Sequence, residues 1–591
     1  MITIIKTANT KSRTFGWVQN PSNFRSLCNV VAVFDPDSPI HQKIKYTTLP
    51  TLIAAENRKK ELITALNSNP LKLSYDNLVG TGETIRATAA CDAIIQAIVP
   101  AQGKKLYTDN WTADGFLRWA HCLGFIKYEY TDDTFSITES GLRLSACSGT
   151  NETLTYDEHM IIVEAMLSYP PAIRVLSLLA EENAHLTKFE IGRQLGFTSE
   201  DGFTSMPQTV FVRALSRTSN SSDKNKMRNN WEGSSDKYAR MIARWLEKLD
   251  LVEKIRKSIT VTIENSTHIE TIGQAYVITA QGLTALHRAQ GASRHKRIPK
   301  TICYEMLATK GNSREYLRTR RSLIIKWLSE SRGTLSSDQI VAFFEGYGIM
   351  TSSSVVHDDI KGFQNIGLDI DIDGNNYTWR DEINDFVIPD RINESQSSNE
   401  QLKDKLREKI THLPHDYLSL IDLAYDSQQN RLFEMKTLQL LTEEVGYKGL
   451  HLGGSRKPDG IIFTSELNEN YGVIIDTKAY SKGYSLPINQ ADEMQRYIQE
   501  NQRRDEQENP NKWWENFGIE EKGYYFMFVS GHFTGKYQDQ IDRISRITET
   551  SGAAVAIDEL LLAAQAIMSG DKTISDFESF INFTYFYHHE N

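Results

Sequence analysis

The sequence predicts a multidomain α+β protein. Three winged-helix-like, helix-turn-helix units are followed by an α/β domain with a central mixed sheet. Three observations predict it. The chain has 591 residues, too many for one hydrophobic core and enough for several domains of ~100–200 residues. A helix–turn–hairpin pattern recurs three times before residue 390. Beyond it, apolar strands alternate with helices, which is the pattern of a sheet covered by helices.

The first copy of the repeat is "DGFLRWAHCLGFIKYEYTDDTFSITESGLRLS", Asp114 to Ser145. It reads as a helix, a tight Leu-Gly turn, a hairpin turning at "TDD" and a closing helix. "KYARMIARWLEKLDLVEKIRK…AYVITAQGLTALHRA", from Lys237 to Ala289, repeats that order, and "IKGFQNIGLDIDIDGNNYTW", from Ile360 to Trp379, shortens it. "HLTKFEIGRQLGFTS" opens a helix-turn-helix with Thr187 as N-cap. The units are placed at 1–150, 151–298 and 299–388. Three unrelated small α+β modules would read similarly, and a winged helix serves protein contacts as well as DNA. The third copy is acidic and is expected to meet protein rather than phosphate.

"RINESQSSNEQ" is polar and poor in apolar residues, so 389–400 reads as a linker. The domain 401–591 then opens on helices. Apolar strands follow near 459–464, 471–478 and 524–530, and "NQADEMQRYIQENQRRD" reads as a helix between the second and third.

Net charge is −10 and hydrophobic residues make up 40%, a globular composition. Lys and Arg outnumber Asp and Glu over residues 1–300, and the acids dominate afterwards. A phosphate-binding surface therefore belongs in the first half. Five cysteines without a C-x-x-C pair argue against a disulfide framework or structural zinc, and fit a reducing cytoplasm. No apolar run reaches the roughly 18 residues of a membrane span, and no secretory signal is evident.

The chemistry is concentrated in "RKPDGIIFTSELNENYGVIIDTKAY". Asp476 and Lys478 interrupt an apolar strand, where unpaired charge is costly. Being two apart, they face the same side of the sheet. Asp459, opening the neighbouring strand, can bring a second carboxylate to that point. Two carboxylates beside a cation suit Mg²⁺, which keeps several waters and binds phosphate. Lys478 could orient the attacking water or steady the transition-state charge. Glu434, on the preceding helix, is a further candidate for an outer-shell or second-metal contact. The bland alternative is a loop Asp in a "PDG" turn and a local ion pair.

Asp459…Asp476-x-Lys478 resembles the PD-(D/E)XK nuclease motif. "HLGGSRKPDG", "YGVIIDTKAYS", "LPINQADEMQRY", "NPNKWW" and "FVSGHFTGKY" resemble the cleavage domain of the FokI family of type IIS restriction endonucleases. "RTFGWVQNP", "DGFLRWAHCLGFI", "SYPPAIR" and "RNNWEGSSDKYARMI" extend the resemblance to the front half. It implies binding to a short asymmetric double-stranded DNA site, GGATG in that family. Both strands would be hydrolysed at a fixed distance downstream, leaving 5′-phosphates. It implies Asp459, Asp476 and Lys478 as catalytic residues, with Mg²⁺ on Asp459 and Asp476. It also implies a transient homodimer through the nuclease domains and a cognate DNA methyltransferase in a bacterial host.

The resemblance assigns base reading to "NNWEGSSDKYAR", with Asn229, Glu232, Lys237 and Arg240 as candidates. Gln19, Asn20, Arg86 and Trp111 are candidates in the first unit, where core packing is the alternative for Trp111. Lys and Arg read guanine, Asn reads adenine, and Glu accepts from cytosine. Asp492 and Arg496 are assigned to the dimer interface. The competing reading for that pair is an intrahelical i,i+4 ion pair. The competing functions are a sequence-specific binding protein with a latent nuclease, and a nickase.

Overall fold

The computed structural model describes all residues except 1, 8–12, 83–89, 102, 104, 150, 264–265, 293–294, 332, 392–393, 465–469, 518–522 and 583–591. The chain divides into two compact units. One comprises Met1–Phe197, Lys237–Ile255 and Gln274–Gln396, and the other Thr198–Asp236, Arg256–Gly273 and Ser397–Asn591.

The repeat is visible in the first unit as a set of equivalent joints. Helix Asn110–Cys122 starts on Asp109, whose side chain accepts the Thr112 N–H. The chain then reverses at Gly124, with φ +74°, and the Phe125 N–H returns to Ala120 O at 3.0 Å. Strands Ile126–Glu129 and Thr134–Ile137 pair antiparallel. Thr138 caps the closing helix Glu139–Ala146 by accepting the Gly141 N–H. In the second copy, helix Lys237–Lys248 leads to Asp250, with φ +59°. The Leu251 N–H returns to Leu246 O at 2.9 Å, and Thr279 caps Ala280–Ala289 through the Gly282 N–H.

The shared T-x-x-G spacing has a steric cause. A Cβ at Gly141 would sit 2.1 Å from Phe125 O, and one at Gly282 1.9 Å from Leu251 O. Each closing helix packs directly on the backbone of its turn, so only glycine fits. The third copy keeps helix Ser353–Asn365, the reversal at Gly367 with φ +98°, and the Leu368 N–H to Phe363 O bond at 2.9 Å. Its wing is the three-stranded sheet of Thr334–Ser336, Asn376–Trp379 and Ile370–Asp373.

Trp119 and Trp245 hold corresponding places in the first two copies and stack at 4.9 Å, joining the copies through a buried aromatic pair. Strand Ile2–Ile5 runs parallel to Phe386–Pro389. Not every acid of the third copy is a surface charge: Asp359 is buried between Arg320 and Arg321, each 2.7 Å away, while Asp371 and Asp373 are exposed. No single helix among the described residues is long and apolar enough to cross a membrane. Tyr156–Ser168 and Pro170–Leu179 pass together on length and composition, but they meet at 87° and most of their side chains are buried.

The second unit is organised by a five-stranded mixed sheet, ordered Lys448–His451, Gly460–Phe463, Tyr471–Lys478, Gly523–Ser530, Gly552–Ala556. The first three strands are antiparallel and the last three parallel to one another. Parallel neighbours need crossovers, which helices Ile488–Arg503 and Tyr537–Thr548 supply. The central strand, "YGVIIDTK", is buried along its length until Lys478, which explains its continuous apolar run. Helix Asn430–Gln439 packs over the first three strands.

Candidate active site

The antiparallel register pairs Gly460 with Ile475. Asp459, one residue before Gly460, therefore lies beside Asp476. Asp459 is held from two directions. In the preceding turn, the Leu452 N–H donates to its carbonyl at 2.9 Å. One carboxylate oxygen accepts the Thr477 N–H at 2.8 Å and the Thr477 hydroxyl at 3.1 Å. Asp476 is buried, and its Oδ2 lies 2.8 Å from Lys478 Nζ, on the same sheet face as the i,i+2 spacing requires. The Lys478 end of the strand is fixed by the Ser530 hydroxyl, which donates to Lys478 O at 2.7 Å.

The electrostatics follow from this crowding. Burial pushes the Asp459 carboxyl well above its ordinary value; the charges of Asp476 and Glu434 add to the push, and Lys478 opposes it. Burial alone would lower Lys478, but the carboxylates of Asp476 and Asp459 outweigh it and leave the ammonium raised. The site thus crowds more carboxyl groups than one lysine can pair, and without a further cation Asp459 is driven toward its protonated form.

That imbalance, with hard oxygen donors and little else, fits a divalent cation. Among the described residues no group of three or more His, Cys, Asp or Glu closes on one point. Asp459 and Asp476 would therefore hold the ion, leaving water and substrate oxygens to complete its shell. Glu434 stands on helix Asn430–Gln439 and bonds His451 Nε2 at 2.8 Å. Sequence reasoning passed over His451, although it lies in the quoted "HLGG". The register that sets it opposite Gly460 arises only on folding, so no local sequence signal marks it. Tyr484 was also missed. It is buried, its hydroxyl has no hydrogen-bond partner, and burial, then Asp476, raises its pKa.

Of the residues considered for base reading, Gln19, Asn20, Trp111, Lys237 and Arg240 line one cavity of about 720 Å³ in the first unit. Lys237 and Arg240 lie in the first turn of Lys237–Lys248, and Trp111 in the first turn of Asn110–Cys122. Asn229 and Glu232 fall in the second unit. Asn229 is exposed, whereas Glu232 is buried and accepts the Gly273 N–H at 3.1 Å, tying its segment to the wing hairpin. Arg86 lies outside the described residues.

Asp492 and Arg496 share a helix face without pairing with each other; Arg496 forms its intrahelical ion pairs with Glu493 and Glu500 instead. Asp492 is exposed and pairs with Arg543 at 2.6 Å, while Arg496 meets Glu493 at 3.2 Å.

The chain matches the family models for FokI recognition domain subdomain 1 over residues 13–147, recognition domain subdomain 2 over 158–294, the FokI D3 domain over 307–375 and the FokI cleavage domain over 396–584. These matches define the class, a restriction endonuclease with recognition and cleavage in separate domains. Type II restriction enzyme FokI of Planomicrobium okeanokoites is 46% identical over 571 residues, covering 96% of this chain and 97% of that protein. Type II restriction enzyme StsI of Streptococcus sanguinis is 32% identical over 578 residues, covering 95% and 94%. The solved structure of restriction endonuclease FokI bound to DNA superposes with a TM-score of 0.90 at 46% identity, covering 97% of this chain and all of that one. A further solved structure of restriction endonuclease FokI gives a TM-score of 0.89. The chain belongs to the FokI family of type II restriction enzymes, whose nuclease chemistry implies a divalent metal.

Proposed function

We propose that this protein is a type IIS endonuclease. It binds a short asymmetric duplex site, GGATG, and hydrolyses both strands at a fixed distance downstream with Mg²⁺. The observation that carries the reading is the juxtaposition of Asp459, Asp476 and Lys478 on one sheet face. Asp459 and Asp476 would hold the metal, which would supply Lewis-acid polarisation of the scissile phosphate and a more acidic water. Lys478 Nζ, already oriented by Asp476, donates to the attacking water or to a non-bridging phosphate oxygen. It steadies charge as the P–O3′ bond breaks and leaves a 5′-phosphate and a 3′-hydroxyl.

Gln19, Asn20, Trp111, Lys237 and Arg240 take the base edges and backbone from the first unit, with Asn229 and Arg86 as further contacts. Glu232 serves that surface by holding its segment in place. Cutting of both strands needs two nuclease domains, paired through Asp492 and Arg496. A host cell would carry the enzyme in its cytoplasm with a methyltransferase that protects its own sites. The test is Asp476→Ala, expected to abolish cleavage while site binding persists. Continued cutting at the wild-type rate would remove Asp476 from the chemistry.

A further inference from the structure

We propose that Glu270 is a specificity-determining residue: it occupies Lys224 and Arg228 and so holds down sequence-independent binding to duplex DNA. The inference rests on the reading above that the segment around Asn229 meets the duplex, and extends it to residues outside the base-reading set.

As sequence, "DKNKMR", Asp223 to Arg228, is a basic patch of the kind that grips phosphate. Folding changes its character. Lys224, Arg228 and Glu232 follow at four-residue intervals along the helical segment 221–232, so they share one face. That face lies on the wing strand Ser266–Ile278. Lys224 Nζ is 2.6 Å from one carboxylate oxygen of Glu270, and an Arg228 nitrogen is 2.8 Å from the other. The second terminal nitrogen of Arg228 donates to Thr271 O at 2.7 Å, and Glu232 accepts the Gly273 N–H. The Glu270 side chain is only 11% exposed and each of the two cations 30%. Asn225, Lys226, Asn229 and Asn230 are left on the exposed side. Lys226 is paired there with Asp223 at 3.1 Å, but both are exposed, and such a pair gives way readily to solvent or phosphate.

A clamp alone would not need this carboxylate. The bonds from Arg228 to Thr271 O and from the Gly273 N–H to Glu232 tie the segment to the wing without it. What Glu270 adds is charge, with each oxygen spent on a different cation. Each phosphate that a protein cation neutralises steepens the salt dependence of duplex binding by about 0.9 and raises affinity for every sequence alike. Nonspecific sites far outnumber cognate ones, so that affinity competes with recognition. Glu270 takes the place a phosphate would hold on Lys224 and Arg228. The exposed side keeps mainly amides, which can read base edges.

The experiment measures binding of the full-length protein to a duplex lacking GGATG and to one containing it, over a series of KCl concentrations. EDTA withholds the metal so that cleavage does not intrude, and melting curves are recorded alongside. Glu270→Gln keeps the shape and removes the charge. It is expected to tighten binding to the duplex lacking the site and to steepen its slope of log K against log salt by about 1–2. Adding Lys224→Gln is expected to take back about half of that gain. Lys224→Gln alone is expected to leave the slope at its wild-type value, because Glu270 already occupies that cation. Looser docking of the segment would weaken binding without steepening the slope. An unmoved slope in a Glu270→Gln variant that melts as wild type overturns the proposal. So does a slope that falls by about 0.9 in Lys224→Gln, a test that stands even if Glu270→Gln fails to fold. A wild-type protein that binds neither duplex removes the DNA reading itself. Wild-type binding with the slope unmoved in Glu270→Gln removes only the role of Glu270.

Discussion

One carboxylate oxygen of Asp459 accepts both the N–H and the hydroxyl of Thr477, at 2.8 and 3.1 Å. Two donors on one oxygen fix the carboxylate against the strand that carries Asp476, whatever the local repulsion. The repulsion remains in the metal-free protein, where burial, then Asp476 and Glu434, hold Asp459 well above its ordinary value. A group raised on folding stabilises fully below its unfolded pKa, about 3.9 for Asp. That contribution is lost as pH rises through the folded value. Asp459→Asn, whose amide keeps an oxygen for Thr477 and brings N–H for Asp476, should therefore melt higher than wild type in EDTA at pH 8. The two should converge near pH 4. Thermal unfolding across pH checks this, and a wild-type protein that melts higher at pH 8 would contradict it. Added Mg²⁺ should raise the wild-type midpoint by ligand linkage and leave that of Asp459→Asn nearly unchanged.

Asp492→Ala with Arg496→Ala should sharply reduce double-strand cleavage while the monomer still binds its site. The ion pairs removed to Arg543 and Glu493 are partly exposed and contribute about 0–1 kcal/mol each, and the buried Glu500, 3.6 Å from Arg496, keeps its hydrogen bonds from Asn509 and Trp513. Unfolding would not account for lost cutting. The check is nicked against linear product from a one-site plasmid, with melting measured alongside. Unchanged linear product would reject the interface.

Arg240→Ala should weaken binding to the cognate duplex by about 1–3 kcal/mol and relax preference at one base position, without changing thermal stability. Glu232→Ala should behave oppositely in kind. It leaves the half-buried Gly273 N–H without the Glu232 carboxylate and should lower the melting temperature, while any lost binding tracks misfolding rather than one base. Competition binding with single-base variants of the site, paired with melting curves, distinguishes the two.

Asp459, Asp476 and Lys478 were legible because charge is costly in an apolar strand, so their presence needs a cause. The repeat was legible because a helix, a tight turn and an alternating hairpin recur in the same order; the structure adds that the reversals fall at positive φ on Gly124, Asp250 and Gly367 and that Thr138 and Thr279 cap the closing helices. Partner choice was not legible. Nothing local says that Asp492 reaches Arg543 rather than Arg496, or that Glu434 meets His451 17 residues on; helix packing on the sheet decides both. Glu232 had the residue type for reading cytosine, but burial against the wing hairpin gives it a backbone N–H instead. Gln19, Trp111 and Arg240 share a cavity only after the first two copies pack through Trp119 and Trp245.

One polypeptide that reads a site and cuts beside it leaves ends at a fixed distance from that site. The most direct measurement incubates the purified protein and Mg²⁺ with a randomised linear DNA pool and sequences every new end, with Asp476→Ala in parallel. Wild-type ends are expected at a constant offset downstream of GGATG, carrying 5′-phosphates, and none from the variant. Intact DNA with the protein still bound to one motif, or ends without any fixed motif, would contradict it.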